Sequence, residues 1–137
     1  MYSIDEIISF IEKETGASKE EIKPGTDIFD DLGVCGDDFH ELMADYSDRF
    51  KVDLSEYLWY FHCDEEGQNI GGVFFAPPYK RVKRIPITPE LLLRFANEGK
   101  WTADYPDHKM PKYRYDILIG VILLLSFMFY SLYRLIK

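Results

Sequence analysis

The N-terminal part of the chain carries apolar residues at helical spacing. Four isoleucines recur at intervals of three and four residues, as on one face of a helix: Ile4, Ile7, Ile8 and Ile11. Ser3 and Glu6 stand in the arrangement of a capping box, in which the serine caps the helix and the glutamate reaches back. Gly16 is suited to end the helix in a left-handed conformation. The pattern predicts a first helix over about residues 3–15.

A second apolar stripe follows a polar loop. It consists of five large side chains at helical spacing: Phe39, Leu42, Met43, Tyr46 and Phe50. Asp37 and Asp38 stand at the predicted start, where the positive end of the helix dipole favours carboxylates. We therefore predict a second helix from about Asp37 to Phe50.

The middle of the chain has shorter patterns. The aromatic run Ser55–Phe61 has the composition of a short buried helix, and residues 79–87 are predicted as loop with room for a short strand. Thr88 and Pro89 then mark the start of a late helix, Gly99 marks its end, and we expect Trp101 to fold back on it. The predicted fold class is mostly α: a small helical bundle with an additional late helix, room for one short strand pair, and one transmembrane helix.

The C-terminal segment is apolar on every face. No charged residue occurs from Ile117 to Tyr133, and about 20 helical residues match the thickness of a bilayer's hydrocarbon core. Tyrosines lie near both ends, as in an aromatic belt, and basic residues flank the segment. A buried core helix is the alternative, but so small a domain cannot surround it. We predict a helical domain over residues 1–104, a linker over 105–115 and a membrane-spanning helix over 116–137, with Ile117–Ile136 in the membrane.

Charge divides the chain into an acidic and a basic half. Residues 1–66 contain 19 acidic and 5 basic side chains, a net charge of −14, whereas residues 67–137 contain 5 and 11, a net charge of +6. The acidic half repels phosphate, so we exclude nucleic acid as a partner. The basic run Lys80–Arg84 leaves two interpretations open, contact with anionic lipid or pairing with the acidic half.

Acidic residues form a second stripe on the predicted second helix. Its members are Asp37, Asp38, Glu41, Asp45 and Asp48. The stripe is either a solvated face or a docking surface for a protein partner with a basic patch, because matched charges accelerate association. We choose the docking surface as the predicted partner-binding site.

The sequence gives little support for metal binding or catalysis. Asp37, Asp38, His40 and Glu41 include only one histidine among surface carboxylates, so we predict no metal. Cys35 or Cys63 paired with a histidine lacks any orienting motif, so we predict no catalytic residue and no enzyme activity. We also predict no cofactor.

The segment from Asp31 to Met43 resembles the attachment region of acyl carrier proteins. Asp31-Leu32-Gly33 matches the lead-in of that region, and Glu41-Leu42 matches the helix that follows. The resemblance puts Gly36 at the position of the serine that carries phosphopantetheine. It implies an acyl-carrier-like fold without the prosthetic arm. Glycine has no hydroxyl, so the arm cannot be attached at this position. The chain also resembles a small bacterial family of uncharacterised acyl-carrier-like proteins, through Gly36-Asp37-Asp38 in place of the serine motif and Gly99-Lys100-Trp101 at the end of the late helix.

These observations lead to a functional hypothesis. We predict a membrane-tethered, acyl-carrier-like adaptor or regulator that contacts a protein partner through the acidic second helix. The alternative is a functional carrier for membrane lipid or envelope synthesis, modified at an unexpected site. We expect a bacterial inner membrane with the N-terminal domain in the cytoplasm. The N-terminus lacks the basic segment of a secretory signal, and basic residues are slightly more numerous before the span than after it.

Overall fold

The computed structural model describes residues 1–137 and is mostly helical, as predicted. Its α-helices are α1 (Ile4–Thr15), α2 (Gly36–Phe50), α3 (Pro89–Glu98) and α4 (Tyr115–Ile136). Three short 3-10 helices lie between α2 and α3, at Trp59–Phe61, Ile70–Val73 and Pro78–Lys80. The expected helix over Ser55–Phe61 is reduced to the first of these turns.

The short strand pair that the sequence left room for is absent. The structure contains no strand and only one isolated parallel bridge, between Asp53 and Lys100. At this bridge the Asp53 amide donates to the Gly99 carbonyl over 3.0 Å, and the Trp101 amide donates to the Asp53 carbonyl over 2.8 Å. Isolated loop-to-loop hydrogen bonds therefore satisfy the backbone without forming a sheet.

Local sequence signals set the ends of the first and third helices. The Ser3 and Glu6 capping box is formed, and Gly16 ends α1 with a φ of 74°. Thr88 caps α3 by accepting from the Leu91 amide, and Gly99 ends it with a φ of 75°. Each of these predicted boundaries is confirmed.

The core lies where α1, α2 and α3 meet. The whole predicted stripe of α2 is buried, and it packs against Ile7 and Ile11 of α1 and Leu92 and Phe95 of α3. The Tyr46 hydroxyl is also buried and donates to the Leu92 carbonyl over 2.7 Å. Trp101 folds back as expected, with its ring centroid 4.5 Å from that of Phe95. These contacts fix which faces of α1 and α2 remain in water.

Most of the fourth helix extends away from the domain and is exposed. Its 22 residues extend for about 33 Å, and most of its apolar side chains are exposed, with Phe127 at 70%. This exposure differs from the alternative of a buried core helix. α4 is the one helix in residues 1–137 that is long and apolar enough to cross a membrane, by length and composition.

Candidate functional site

The acids of the predicted site all lie on the solvent side of α2. Asp37, Asp38, Glu41, Asp45 and Asp48 are exposed, because the opposite side of the helix carries the buried stripe. None of the five forms an ion pair within 4.0 Å. Their charges are therefore available to a molecule in solution.

Helix α1 adds further acids next to this stripe. A surface groove between α1 and α2 is lined by Asp45 and Asp48 on one side and by Asp5, Glu6 and Glu14 on the other. We call the five α2 acids together with Asp5, Glu6 and Glu14 the acidic face. The α1 members were not predicted, since an amphipathic pattern alone does not tell which helix lies alongside.

Two cations border the groove. They are Lys13, whose ammonium lies 3.5 Å from the Glu14 carboxylate, and Arg49, which forms no ion pair. Five carboxylates against two cations leave the groove negative. Several like charges on one surface attract and steer a cationic partner during association.

The cysteines lie in surroundings that disfavour the thiolate. Burial raises the pKa of the Cys63 thiol to about 12, and Asp64 adds to the shift. The pKa of Cys35 is also raised, by desolvation first and then by Glu66, whose carboxylate accepts from the thiol over 3.5 Å. A nucleophilic cysteine needs the opposite shift.

The histidines give neither a metal site nor a Cys–His pair. Residues 1–137 contain no group of three or more side chains placed to hold a metal ion, so Asp37, Asp38, His40 and Glu41 do not form one. His62 is fully buried and bonds to the Ile85 carbonyl and to the Tyr105 hydroxyl, each over 2.8 Å. It organises the interior instead of facing Cys63.

Tyr105 links the middle of the chain to the end of the domain. Because the Ile85 carbonyl can only accept, Nδ1 of His62 carries the proton and Nε2 accepts from the Tyr105 hydroxyl. That hydroxyl in turn accepts from the Trp101 indole over 2.8 Å and from the Leu58 amide over 3.2 Å. We call His62, Tyr105, Trp101 and their backbone partners the aromatic hub.

The backbone conformation at position 36 favours glycine. Gly36 is buried at the start of α2 with a φ of 57°, a conformation that side chains other than glycine rarely adopt. A Cβ built on it would overlap the Glu66 side chain. A serine here would be strained and enclosed, which is unlike a serine exposed to a modifying enzyme.

A set of paired charges holds the start of α4 against the domain. The Arg114 guanidinium bridges Glu65, over 2.7 Å, and Asp116, over 2.6 Å. Asp116 is only 2% exposed and also accepts from the Asn69 side-chain amide over 2.7 Å. A buried carboxylate needs such partners, because desolvation without them is costly.

Backbone contact completes the attachment. The 3-10 helix Ile70–Val73, which we call the junction turn, packs its Gly71 directly on the backbone of α4. A Cβ on Gly71 would overlap the Asp116 carbonyl oxygen and lie 3.0 Å from the Gly120 amide nitrogen. Only glycine permits this approach, so α4 is docked on the domain through its first two turns. We call this contact and the paired charges together the junction.

Comparison with known proteins identifies the family. The model of a family described as protein of unknown function, DUF1493, matches residues 2–104, and the chain belongs to this family. No curated protein and no solved structure matches the chain.

The resemblance to acyl carrier proteins is therefore wrong. The matching family model is that of DUF1493 and not that of an acyl carrier family. The resemblance relied on Asp31-Leu32-Gly33 and Glu41-Leu42, which are short patterns that an ordinary loop and an amphipathic helix also produce. The position equated with the attachment serine holds a buried glycine with a positive φ, which favours glycine over serine.

Proposed function

We propose that this protein is a membrane-anchored adaptor that binds a basic protein partner through the acidic face. The observation that carries the proposal is a group of exposed carboxylates from two helices, of which only Glu14 has an ion-pair partner, on a domain attached to a long apolar helix. Charges maintained on one face cost self-repulsion, and binding a cationic surface relieves it.

The pairing of charges elsewhere in the domain strengthens this interpretation. Glu65 and Asp116 are paired with Arg114, and Asp27 and Asp30 are paired with Arg84. These two arginines of the basic half therefore neutralise other acids and do not pair with the acidic face. The alternative is a solvated face without a partner, and photo-crosslinking from this face distinguishes the two.

The chemistry of the site supports binding and not catalysis. Both thiols have raised pKa values, and neither cysteine bonds to a histidine. The buried histidine bonds to a carbonyl and a tyrosine inside the aromatic hub. We therefore assign no reaction to the protein.

The proposed location is a bacterial inner membrane that α4 crosses once, with the domain on the cytoplasmic side. Lys109, Lys112 and Arg114 precede the span, whereas Arg134 and Lys137 follow it. The larger number of basic residues tends to stay in the cytoplasm. Protease accessibility of the N-terminal domain in inverted and right-side-out vesicles tests this orientation.

Photo-crosslinking from the acidic face tests the adaptor function. Ala44 is exposed on α2 between Glu41 and Asp48, so a photoreactive amino acid at position 44 reports what docks there. We expect a crosslink in intact membranes to a protein with a basic patch. The triple variant Glu41→Lys, Asp45→Lys and Asp48→Lys should lower the yield about tenfold, which corresponds to about 1.4 kcal/mol of binding free energy.

A second triple variant of equal net charge provides the control. Glu56, Asp104 and Asp107 are exposed, unpaired acids outside the acidic face, and their replacement by lysine should leave the crosslink unchanged. Added salt should reduce capture by the wild type and have less effect on the acidic-face variant. Equal yields from the two triple variants would leave the acidic face as a solvated surface.

A further inference from the structure

The junction turn and the residues after it expose an unusual group of apolar side chains. Ile70, Val73, Phe74 and Phe75 all lie on the surface, with Val73 at 83% and Phe74 at 65%. They occupy a stretch of six residues, so they form one patch and not scattered contacts. An apolar patch of this kind on a domain surface usually marks a site that binds another protein or a membrane.

The patch is continuous with the apolar surface of α4. Ile70 shares a cleft with Val121 and Leu124, and the ring of Phe75 lies 5.7 Å from that of Tyr115. The junction turn therefore lies beside residues 115–124 of α4, a length of about 14 Å. Any membrane that covers the first turns of α4 also meets this patch.

Asn69 and the Gly72, Phe74 and Phe75 amides of this segment already have hydrogen-bond partners. Asn69 accepts from the Gly72 amide over 2.9 Å and donates to Asp116, whose carboxylate is held by Arg114. The Phe74 and Phe75 amides both donate to the Gly71 carbonyl over 3.0 Å. Non-helical backbone is not tolerated against lipid in the hydrocarbon centre, but a turn with satisfied amides can enter the edge of the bilayer.

Unpaired cations lie in the basic run and in the segment just before α4. Arg84 of the basic run is held by Asp27, over 2.7 Å, and by Asp30, over 2.6 Å. Of the two interpretations of this run, Arg84 therefore follows pairing with the acidic half. The others of the run are exposed without an ion pair, as are two lysines just before α4: Lys80, Arg81, Lys83, Lys109 and Lys112. Arg81 lines a small cleft with Pro111 and Tyr113, next to the start of α4. Basic residues near an anionic bilayer are attracted to its headgroups.

We propose that residues 70–75 enter the bilayer beside α4 and form a second membrane contact, with these five cations on anionic lipid headgroups. The proposal rests on the proposed membrane crossing of α4. The second contact would hold the domain against the membrane in one orientation, so that the domain does not reorient freely on a linker. The docked Gly71 and the paired Arg114 keep the patch at the depth of the first turns of α4.

Fluorescent labels at three positions test the depth of the patch. Cys63 is buried and unreactive, and Cys35→Ser removes the other thiol, so a single new cysteine can carry an environment-sensitive dye. The positions are Val73 in the patch, Leu125 within α4 and Glu56 on the far domain surface, all exposed. The full chain is reconstituted in vesicles of phosphatidylcholine with phosphatidylglycerol that carry spin-labelled lipids.

The expected result is a different depth for each label. The dye at 125 should be quenched most by spin labels deep in the acyl chains, and the dye at 73 by those near the headgroups. The dye at 56 should not be quenched. Quenching at 125 but none at 73, with a water-like emission at 73, overturns the second contact and leaves the membrane crossing standing. Absence of quenching at both positions overturns the crossing itself.

A third outcome would identify a different covering. A blue-shifted dye at 73 that no lipid spin label quenches means that protein, such as a second copy of this chain, covers the patch, and the proposal fails. The cations are tested by Lys80→Gln, Arg81→Gln and Lys83→Gln together. In the wild type, removing phosphatidylglycerol should reduce quenching at 73 about twofold or more, and this lipid dependence should be weaker in the triple variant, which keeps Lys109 and Lys112. Equal lipid dependence in both proteins removes Lys80, Arg81 and Lys83 from the proposal.

Discussion

The carboxylates of the acidic face and those of the junction differ in their exposure to water and in their pairing. On the acidic face, carboxylates from α1 and α2 stand in water, and the α2 members have no ion-pair partner. At the junction, Asp116 is buried and held by Arg114 and Asn69 within 2.7 Å. The difference follows from solvation, because water already stabilises the exposed charges whereas a buried charge requires partners of its own.

This contrast separates the residues that act on other molecules from those that hold the protein together. Removing an exposed, unpaired carboxylate should affect association and hardly affect folding. Removing one partner of the buried group should affect the structure first. The aromatic hub belongs with the junction in this respect, since His62 is also buried and fully partnered.

The largest effect is expected from Arg114→Met. The variant leaves the Asp116 carboxylate buried without its cation, and we expect the junction to lose about 3 kcal/mol, the lower end for a buried pair because the guanidinium is one third exposed. Hydrogen exchange of the Gly72 and Phe74 amides, measured in micelles, should accelerate about 100-fold. Glu65→Gln is the control, and it should cost less than about 1 kcal/mol because Asp116 keeps its partner. Equal effects of the two variants would contradict the importance of the buried carboxylate.

The two glycines at the junction should respond unequally. Gly71→Ala drives a Cβ into the Asp116 carbonyl oxygen, and backbone on both sides limits relaxation, so we expect a cost of about 2–3 kcal/mol. Gly120→Ala puts its Cβ 3.6 Å from the Gly71 amide nitrogen, which is an ordinary contact, and should be tolerated. The same amide exchange rates report both variants. A tolerated Gly71→Ala would mean that the junction turn does not lie directly on α4.

Acid should destabilise the protein through His62. Burial lowers its folded-state pKa from 6.5 to about 4, so the unfolded chain takes up the proton first as the pH falls. The stabilisation is complete above pH 6.5 and is lost as the pH falls toward 4, by about 2 kcal/mol between pH 6.5 and about pH 5. Denaturant unfolding should show a correspondingly flatter pH dependence in His62→Gln. Equal slopes for the wild type and His62→Gln would contradict the prediction.

The smallest effect on stability is expected at the acidic face. Glu41→Lys, Asp45→Lys and Asp48→Lys should each change the free energy of unfolding by less than about 0.5 kcal/mol, and in the stabilising direction where like-charge repulsion is relieved. Denaturant unfolding of the triple variant tests this directly. A loss of several kcal/mol would mean that these carboxylates have structural partners, and the contrast with the junction would disappear.

The elements of the fold were largely readable from the sequence. The ends of α1 are set by Ser3, Glu6 and Gly16, and those of α3 by Thr88 and Gly99. These residues were recognisable because a cap forms hydrogen bonds only with residues a few positions away. The strand near residues 79–87 was not found, because a short apolar and basic alternation does not supply the partner strand that a sheet requires. The acyl carrier resemblance failed for a related reason, since a short motif match does not report burial or φ at Gly36.

The candidate site was readable only in part. The five acids of α2 follow from helical periodicity, and the structure leaves all of them exposed. Asp5, Glu6 and Glu14 could not be assigned to the same face, because that depends on how α1 lies against α2. Tyr105 and Arg114 were in the segment assigned as a linker, and nothing in their neighbours along the chain indicates their bonds to His62 and Glu65.

The sequence by itself determined the helices, their caps and the apolar C-terminal segment, because periodicity, capping and hydrophobic length are local properties. Only the tertiary structure decided that Gly71 touches α4, that Asp116 is buried with Arg114, and that the acids of two helices share one groove. Each of these depends on residues far apart in the chain, whose meeting is set by how the core packs α1, α2 and α3 together.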